Sequence, residues 1–130
     1  MLPVQKCVLI LVRMHELSVA QSVVEIVSTA VPKESLSRVT AVRMKVGTMA
    51  GVVPESLEFS FQAITAGTVL EHACLTIETI PFRVQCHDCG ATSEEELGVV
   101  ICSQCGSANT TILSGNELYV SEIEVDDARE

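Results

Sequence analysis

The stretch of sequence that decides the fold reads CHDCG at Cys86–Gly90 and CSQCG at Cys102–Gly106. Each Cys-x-x-Cys turn places two thiolates on one side of a tight loop, and two such turns complete a tetrahedral four-cysteine shell. A glycine follows each pair, and glycine readily adopts the positive φ that lets the chain turn back there. The repeat predicts a structural zinc site whose coordination positions are all filled by protein. The predicted ligands are Cys86, Cys89, Cys102 and Cys105.

The competing interpretation of the four cysteines is a pair of redox-active dithiols or two disulfides. A single Cys-x-x-Cys is often redox-active, but two with matching glycines favour zinc. The other two cysteines, Cys7 and Cys74, are isolated in the sequence. Because zinc accounts for four of the six cysteines, the composition fits a reducing cytoplasm better than secretion.

The charge balance bears on the kind of partner. The 130 residues include 17 Asp and Glu against 8 Lys and Arg, a formal charge of −9. Nucleic-acid binders of this size usually present a basic face, and no Lys or Arg lies between Cys86 and Cys105. The composition therefore predicts no nucleic-acid partner. The longest apolar run, Cys7–Val12, is far shorter than the ~18 residues of a membrane span.

Hydrophobic periodicity predicts two helices and three strands. A helical pattern covers Leu17–Val31, and Pro32 ends it. Residues 38–46 alternate as a strand with one wet face. Pro54 opens a second helix, which ends at Gly67. Two further strands are predicted at Cys74–Ile80 and Leu118–Val125.

This order of elements predicts an α+β protein, a small mixed sheet with two helices carrying an inserted zinc-ribbon lobe. The strands on either side of the cysteine segment are expected to pair antiparallel. The metal should supply the stability of the lobe, which is too small to bury a core of its own. The predicted segments are an N-terminal extension at 1–13, an α+β domain at 14–84 plus 112–125, a zinc lobe at 85–111 and an acidic tail at 126–130.

A second candidate site is Met14-His15-Glu16, directly before the first predicted helix. A lone histidine is more often an ordinary surface or capping residue. If the chain begins at Met14, however, the α-amine, the following amide nitrogens and the His15 imidazole are adjacent, and such a nitrogen-rich square plane suits Ni²⁺ or Cu²⁺. In that case the start codon has been assigned too early, and residues 1–13 are not part of the mature chain. The alternative is that residues 1–13 form a genuine β-strand extension.

Three stretches resemble the HypA/HybF hydrogenase maturation family. They are MHELSVA from Met14, RMKVG from Arg43 followed by VPESLEFSF from Val53, and IETIP from Ile77 ahead of the paired cysteine turns. The resemblance covers Met14 to about Val125. It implies a nickel metallochaperone that is not an enzyme, with Ni²⁺ as transient cargo at Met14, His15 and Glu16, and structural zinc at the four cysteines.

The resemblance also implies partners. They are a HypB-type GTPase and the large-subunit precursor of a [NiFe] hydrogenase. The chain is expected to be cytoplasmic and to be a monomer or weak dimer. Two departures from the family pattern stand out. Thirteen residues precede Met14. If they remain in the mature protein, the nitrogen of Met14 is a peptide amide and no longer an α-amine. Some relatives place a histidine directly after a cysteine pair, where this chain has Gly90 and Gly106.

The remaining histidines and acidic residues have simpler interpretations. His72 and His87 are candidate auxiliary nickel ligands, but exposed surface positions are the more common outcome. Glu94, Glu95 and Glu96 are expected to form a solvated turn of the lobe. Two rival functions stay open on the residues alone. One is a zinc-ribbon module for protein or nucleic-acid interaction, and the other is a thiol–disulfide oxidoreductase.

Overall fold

The computed structural model describes residues 4–95 and 98–126, with side chains described from His15 onward. Its helices are α1 (Val4–Ala30) and α2 (Pro54–Thr65), and a 3₁₀ helix spans Lys33–Arg38. Its strands are β1 (Val39–Gly47), β2 (Cys74–Ile80), β3 (Phe82–Cys86), β4 (Thr92–Glu95), β5 (Thr110–Ser114) and β6 (Leu118–Val125). Within the described ranges the strands form two three-stranded sheets, ordered β2-β1-β6 and β4-β3-β5. The α+β class predicted from the sequence is confirmed.

The chain divides into two compact units. The first contains the described residues of Met1–Met44, Val52–Ile77 and Val120–Glu130, and it holds both α-helices. The second contains those of Lys45–Gly51 and Glu78–Tyr119, and it holds the whole of the sheet β4-β3-β5. In the part of the chain that the structure describes, neither helix combines the length and apolar composition needed to cross a membrane.

The core of the first unit lies where α1 packs on α2. Fully or almost fully buried apolar side chains recur on α1 every three or four positions, as an amphipathic helix requires. Among the described side chains, the buried apolar residues of the two helices are Ala20, Val23, Val27, Leu57 and Phe61. Each such side chain contributes about 1.5–3 kcal/mol when it leaves water, apart from the smaller alanine. The core is mostly aliphatic, which agrees with an aromatic content of only 3%.

Helix α1 is longer than its sequence pattern indicates. The apolar period begins at Leu17, but the backbone is helical from Val4, so the alternative of a β-strand extension is wrong. The helix ends at Ala30, before Pro32, whose ring and missing N–H cannot continue it. Helix α2 begins at Pro54, as predicted, because the fixed φ of proline suits the first helical position.

Strand β1 lies at the centre of its sheet, between β2 and β6. The expectation that β2 and β6 pair with each other is therefore wrong. Val39, Val42, Met44 and Val46 are each at most 2% exposed, whereas the Arg43 side chain is 43% exposed and pairs with Glu122 and Glu124 of β6. Because β1 takes the backbone hydrogen bonds of one edge of β2 and one edge of β6, it separates these two strands. The bounds of β2 and β6 agree with the prediction.

The second sheet was not predicted. Strand β3 pairs antiparallel with β4, placing Val84 opposite Ser93, and on its other edge with β5. Phe82 and Val84 point into the core of this unit and are almost fully buried. Glu94 and Glu95 lie in β4, so the expected solvated turn is wrong for them, and Arg83 Nη2 forms an ion pair with Glu94 Oε2 at 2.9 Å. Glu96 lies outside the described residues.

Candidate metal centres

The four predicted zinc ligands come together in the second unit. One sulfur atom from each of Cys86, Cys89, Cys102 and Cys105 lies within 4.8 Å of the other three. Cys86 Sγ is 3.6 Å from Cys105 Sγ, and Cys89 Sγ is 3.6 Å from Cys102 Sγ. A tetrahedral zinc ion with bonds of about 2.3 Å requires sulfurs about 3.8 Å apart. The donor set and the spacing both fit a structural zinc site.

Two sulfur contacts of 3.6 Å connect the two turns. If the turns were independent redox dithiols, each would need only its own pair of sulfurs. Instead each cysteine of Cys86–Cys89 has its near neighbour in Cys102–Cys105. The distances of 3.6 Å are also far longer than the ~2.05 Å of a disulfide bond. The geometry is that of one four-sulfur cluster.

Both cysteine turns have the same backbone geometry. The Gly90 amide donates to the Cys86 carbonyl at 3.0 Å, and the Gly106 amide donates to the Cys102 carbonyl at 2.9 Å. Gly90 has φ 78° and Gly106 has φ 77°, the left-handed region that only glycine enters without strain. The predicted role of the two glycines is confirmed.

Backbone amides inside the turns prepare two of the sulfurs for ionisation. The amides of Cys89 and Asp88 donate to Cys86 Sγ and lower the pKa of Cys86. In the second turn the amides of Cys105 and Gln104 lower the pKa of Cys102 to about 6. A hydrogen bond to a thiolate favours the charged form, which is the form that binds a metal.

The pKa values of the other two thiols, Cys89 and Cys105, are raised. The pKa of Cys105 rises to about 12: the Ser107 amide lowers it, but the neighbouring thiols, Cys86 first, and burial together raise it more. The pKa of Cys89 is also raised, since the Cys102 thiol and burial outweigh the Ala91 amide. Four thiolates this close repel one another, so full ionisation requires a cation among them.

Hydrogen bonds between polar side chains connect the first cysteine turn to residues that follow the second cysteine turn. Ser107 Oγ donates to Asp88 Oδ2 at 2.5 Å, and Asn109 Nδ2 donates to Asp88 Oδ1 at 3.3 Å. These bonds, that of Ser107 first, lower the pKa of Asp88. His87, a predicted auxiliary ligand, instead has its ring hydrogen-bonded to the Thr111 hydroxyl. No spacing signal in the sequence identified these contacts, because they join residues far apart in the chain.

The N-terminal motif occupies the interior of α1 and its residues have different surroundings. His15 is exposed, whereas Glu16 is only 1% exposed. Glu16 Oε2 accepts a hydrogen bond from the Val53 amide at 3.0 Å. The Met14 side chain lies outside the described side chains, and its backbone is helical. His72 is exposed, as predicted, in the loop before β2.

The fold and the cysteine cluster define a small α+β metalloprotein with a four-cysteine lobe. Residues 14–125 match the family model described as hydrogenase/urease nickel incorporation, metallochaperone, hypA. The chain belongs to the HypA family, the nickel metallochaperones of hydrogenase maturation. The family resemblance noted in the sequence is thereby confirmed.

Individual relatives agree with this assignment. The chain is 41% identical over 115 residues to a hydrogenase maturation factor HypA from Roseiflexus sp., covering 88% of this chain and 94% of the relative. It is 42% identical over 113 residues to a protein of the same name from Geobacter metallireducens, covering 87% of this chain and 100% of the relative. The chain is also 35% identical over 113 residues to a hydrogenase maturation factor HypA from Aquifex aeolicus, covering 87% of this chain and 98% of the relative.

Solved structures show the same fold. A solution structure of a HypA protein superposes with a TM-score of 0.61 at 24% identity, covering 86% of this chain and 96% of that one. The solution structure of the Ni metallochaperone HypA from Helicobacter pylori gives a TM-score of 0.57 at 22% identity, over 85% and 96% of the two chains. At these identities the likeness establishes the fold.

Proposed function

We propose that this chain binds Ni²⁺ transiently through Met14, His15 and Glu16 and passes it to the large-subunit precursor of a [NiFe] hydrogenase. The observation that carries the proposal is the family match, which begins at Met14 and includes the motif, the part of α1 from Met14 onward, α2 and the cysteine cluster. The exposure of His15 supports it, because an imidazole on the surface can take up an ion and release it to a partner.

The four cysteines serve the proposed function by holding the second unit together. Their sulfurs fill the whole coordination shell of a zinc ion, which leaves no position for a substrate or for water. We therefore assign zinc at Cys86, Cys89, Cys102 and Cys105 to stability. Nickel is the cargo, and the chain acts as a carrier without catalysing a reaction.

The partners are a HypB-type GTPase and the hydrogenase precursor, both met in the cytoplasm, with the chain as a monomer or weak dimer. The thiolate cluster supports this compartment, since free cysteine thiols persist in a reducing environment. The charge of −9 supports protein partners over nucleic acid. Arg83 is the one Lys or Arg between Glu78 and Tyr119, and Glu94 neutralises it. A zinc-ribbon module for nucleic acid would need a basic face here.

The role in nickel delivery is testable in a hydrogenase-forming bacterium that lacks its own member of the family. The unchanged chain should restore hydrogenase activity when nickel is limiting, and His15→Ala should not. His72→Ala is the matched control, an exposed histidine outside the motif, and it should restore activity fully. Excess nickel should rescue the His15→Ala strain by mass action. Full activity of His15→Ala at limiting nickel contradicts the proposal.

A further inference from the structure

Asp88 belongs to the first cysteine turn, but its side chain contacts the segment that follows the second turn. The residue is exposed, yet both carboxylate oxygens accept hydrogen bonds from protein donors. Ser107 Oγ donates to Oδ2 at 2.5 Å, and Asn109 Nδ2 donates to Oδ1 at 3.3 Å. Two bonds to one carboxylate fix its orientation as well as its position, and bonds to an ionised group are stronger than those between neutral groups.

Ser107 extends this contact to the second cysteine turn. While its hydroxyl donates to Asp88, its carbonyl accepts a hydrogen bond from the Cys102 amide at 2.8 Å. The same hydroxyl oxygen accepts from the Asn109 amide at 3.0 Å, which holds the Ser107 side chain in place. A continuous path of hydrogen bonds therefore runs from Asp88 through Ser107 to Cys102, one of the four sulfur donors.

The other end of the path reaches the first pair of sulfurs. The Asp88 amide donates to Cys86 Sγ at 3.3 Å, and the bond from the Asp88 side chain to Ser107 fixes the orientation of that peptide group. The His87 amide adds to the same connection by donating to the Asn109 carbonyl at 2.9 Å. The two turns are thus joined by hydrogen bonds that need no metal. Residues that orient metal ligands in this way commonly alter metal affinity when they are changed.

We propose that Asp88 is a positioning residue that clamps the two cysteine turns together and slows the release of zinc from the cluster. The proposal rests on the zinc site assigned above and is independent of nickel delivery. Release requires the sulfurs of one turn to move away from those of the other. That movement must also break the bonds that Asp88 accepts from Ser107 and Asn109. The clamp therefore acts on how fast the metal leaves, and it does not change the four sulfur donors.

The rate of zinc release from the zinc-loaded, full 130-residue chain tests the clamp, measured as transfer to an excess of a coloured chelator. Asp88→Ala should release zinc about tenfold faster, since loss of a residue that orients metal ligands lowers affinity by at least that factor and affinity changes act mainly on dissociation. Asp88→Asn keeps an oxygen that accepts from Ser107, so its rate should stay within about threefold of the unchanged chain. The absorption spectrum of the cobalt-substituted protein should be the same in all three chains, because the four thiolate donors are retained.

Ser107→Ala supplies an independent measurement, because it removes the other partner of the clamp and leaves the carboxylate in place. It should speed release to a similar extent, and it carries the test if Asp88→Ala fails to retain zinc. The double variant should release zinc about as fast as either single variant, since both substitutions remove the same contact. Gln104→Ala is the matched control, an exposed residue of the second turn outside the path, and it should leave the rate unchanged.

Two results would overturn the clamp. The first is a release rate in Asp88→Ala or Ser107→Ala equal to that of Gln104→Ala, which would make the contact an ordinary surface one. The second is a double variant in which the two effects multiply, which would show that Asp88 and Ser107 act separately. Failure of the zinc site itself is recognised differently, by an unchanged chain that neither contains zinc nor takes it up, and that result would overturn the clamp as well.

Discussion

Cys86 Sγ and Cys105 Sγ lie 3.6 Å apart although 19 positions separate the two residues in the chain. The contact joins the first residue of one cysteine turn to the last residue of the other. The interior of this unit is small: besides the cysteines, its buried apolar side chains among the described residues are Val46, Phe82 and Val84. A metal ion at the four sulfurs therefore replaces the larger hydrophobic core that so short a segment cannot build.

The first prediction concerns zinc. The purified protein should contain one zinc ion per chain, and Cys86→Ala should remove protection from amide exchange across residues 85–111. The loss is expected because a structural zinc site contributes on the order of 10 kcal/mol to the folding of a small domain. Cys74→Ala is the control, since Cys74 is exposed and lies outside the cluster. If a chelator removes the zinc and exchange in the lobe stays slow, the structural role is wrong.

The second prediction concerns the aliphatic core of the first unit. Leu57 is fully buried, so Leu57→Ala should lower the free energy of unfolding by about 2–5 kcal/mol, through lost burial and the cavity left behind. Leu118 is 40% exposed, and Leu118→Ala should cost clearly less. Urea unfolding followed by the helical circular dichroism signal measures both. Equal effects of the two substitutions would contradict the packing described for α2.

Features of the fold that depend on residues close together in the chain were predicted from the sequence, and features that depend on distant residues were not. The cysteine turns, their glycines, the start of α2 and the bounds of β2 and β6 depend on residues close together in the chain. Local spacing and alternation were sufficient to predict them. Strand β4 escaped prediction because its sequence, TSEE at Thr92–Glu95, carries no apolar alternation. It forms a strand because β3 offers an edge and Arg83 pairs with Glu94.

Contacts between distant residues account for the other misses. The central place of β1 depends on which strands pair with its two edges, and no local pattern specifies that. The hydrogen bond from the Val53 amide to the Glu16 carboxylate joins residues 37 positions apart, so no local pattern specified it. The sequence showed that α2 starts at Pro54 and held no sign that a carboxylate on α1 would approach that end.

The third prediction concerns partners. At physiological salt the chain should not be retained by DNA or RNA, because a net charge of −9 repels the phosphate backbone. Immobilised, it should capture a HypB-type GTPase and the hydrogenase large-subunit precursor from an extract of cells that make both. Retention on nucleic acid together with no capture of either maturation protein would favour the zinc-ribbon module.

The fourth prediction concerns residues 1–13. In the full chain the Met14 nitrogen is a peptide amide inside α1, where helical hydrogen bonding occupies it. A chain that begins at Met14 offers an α-amine instead, and the chelate rings it closes with the following nitrogens cost little chain entropy. The shorter chain should therefore bind Ni²⁺ more tightly in isothermal titration. Equal affinity with and without residues 1–13 would mean that the amine is not a ligand.

The most direct test of the account is nickel titration of His15→Ala beside His72→Ala, in both the full chain and the chain that begins at Met14. Both histidines are exposed, so neither substitution should disturb the fold, and thermal unfolding checks this. The account predicts that His15→Ala abolishes nickel binding in both chains while His72→Ala leaves the affinity unchanged. Unchanged nickel affinity in His15→Ala would contradict the assignment of the cargo site to this motif.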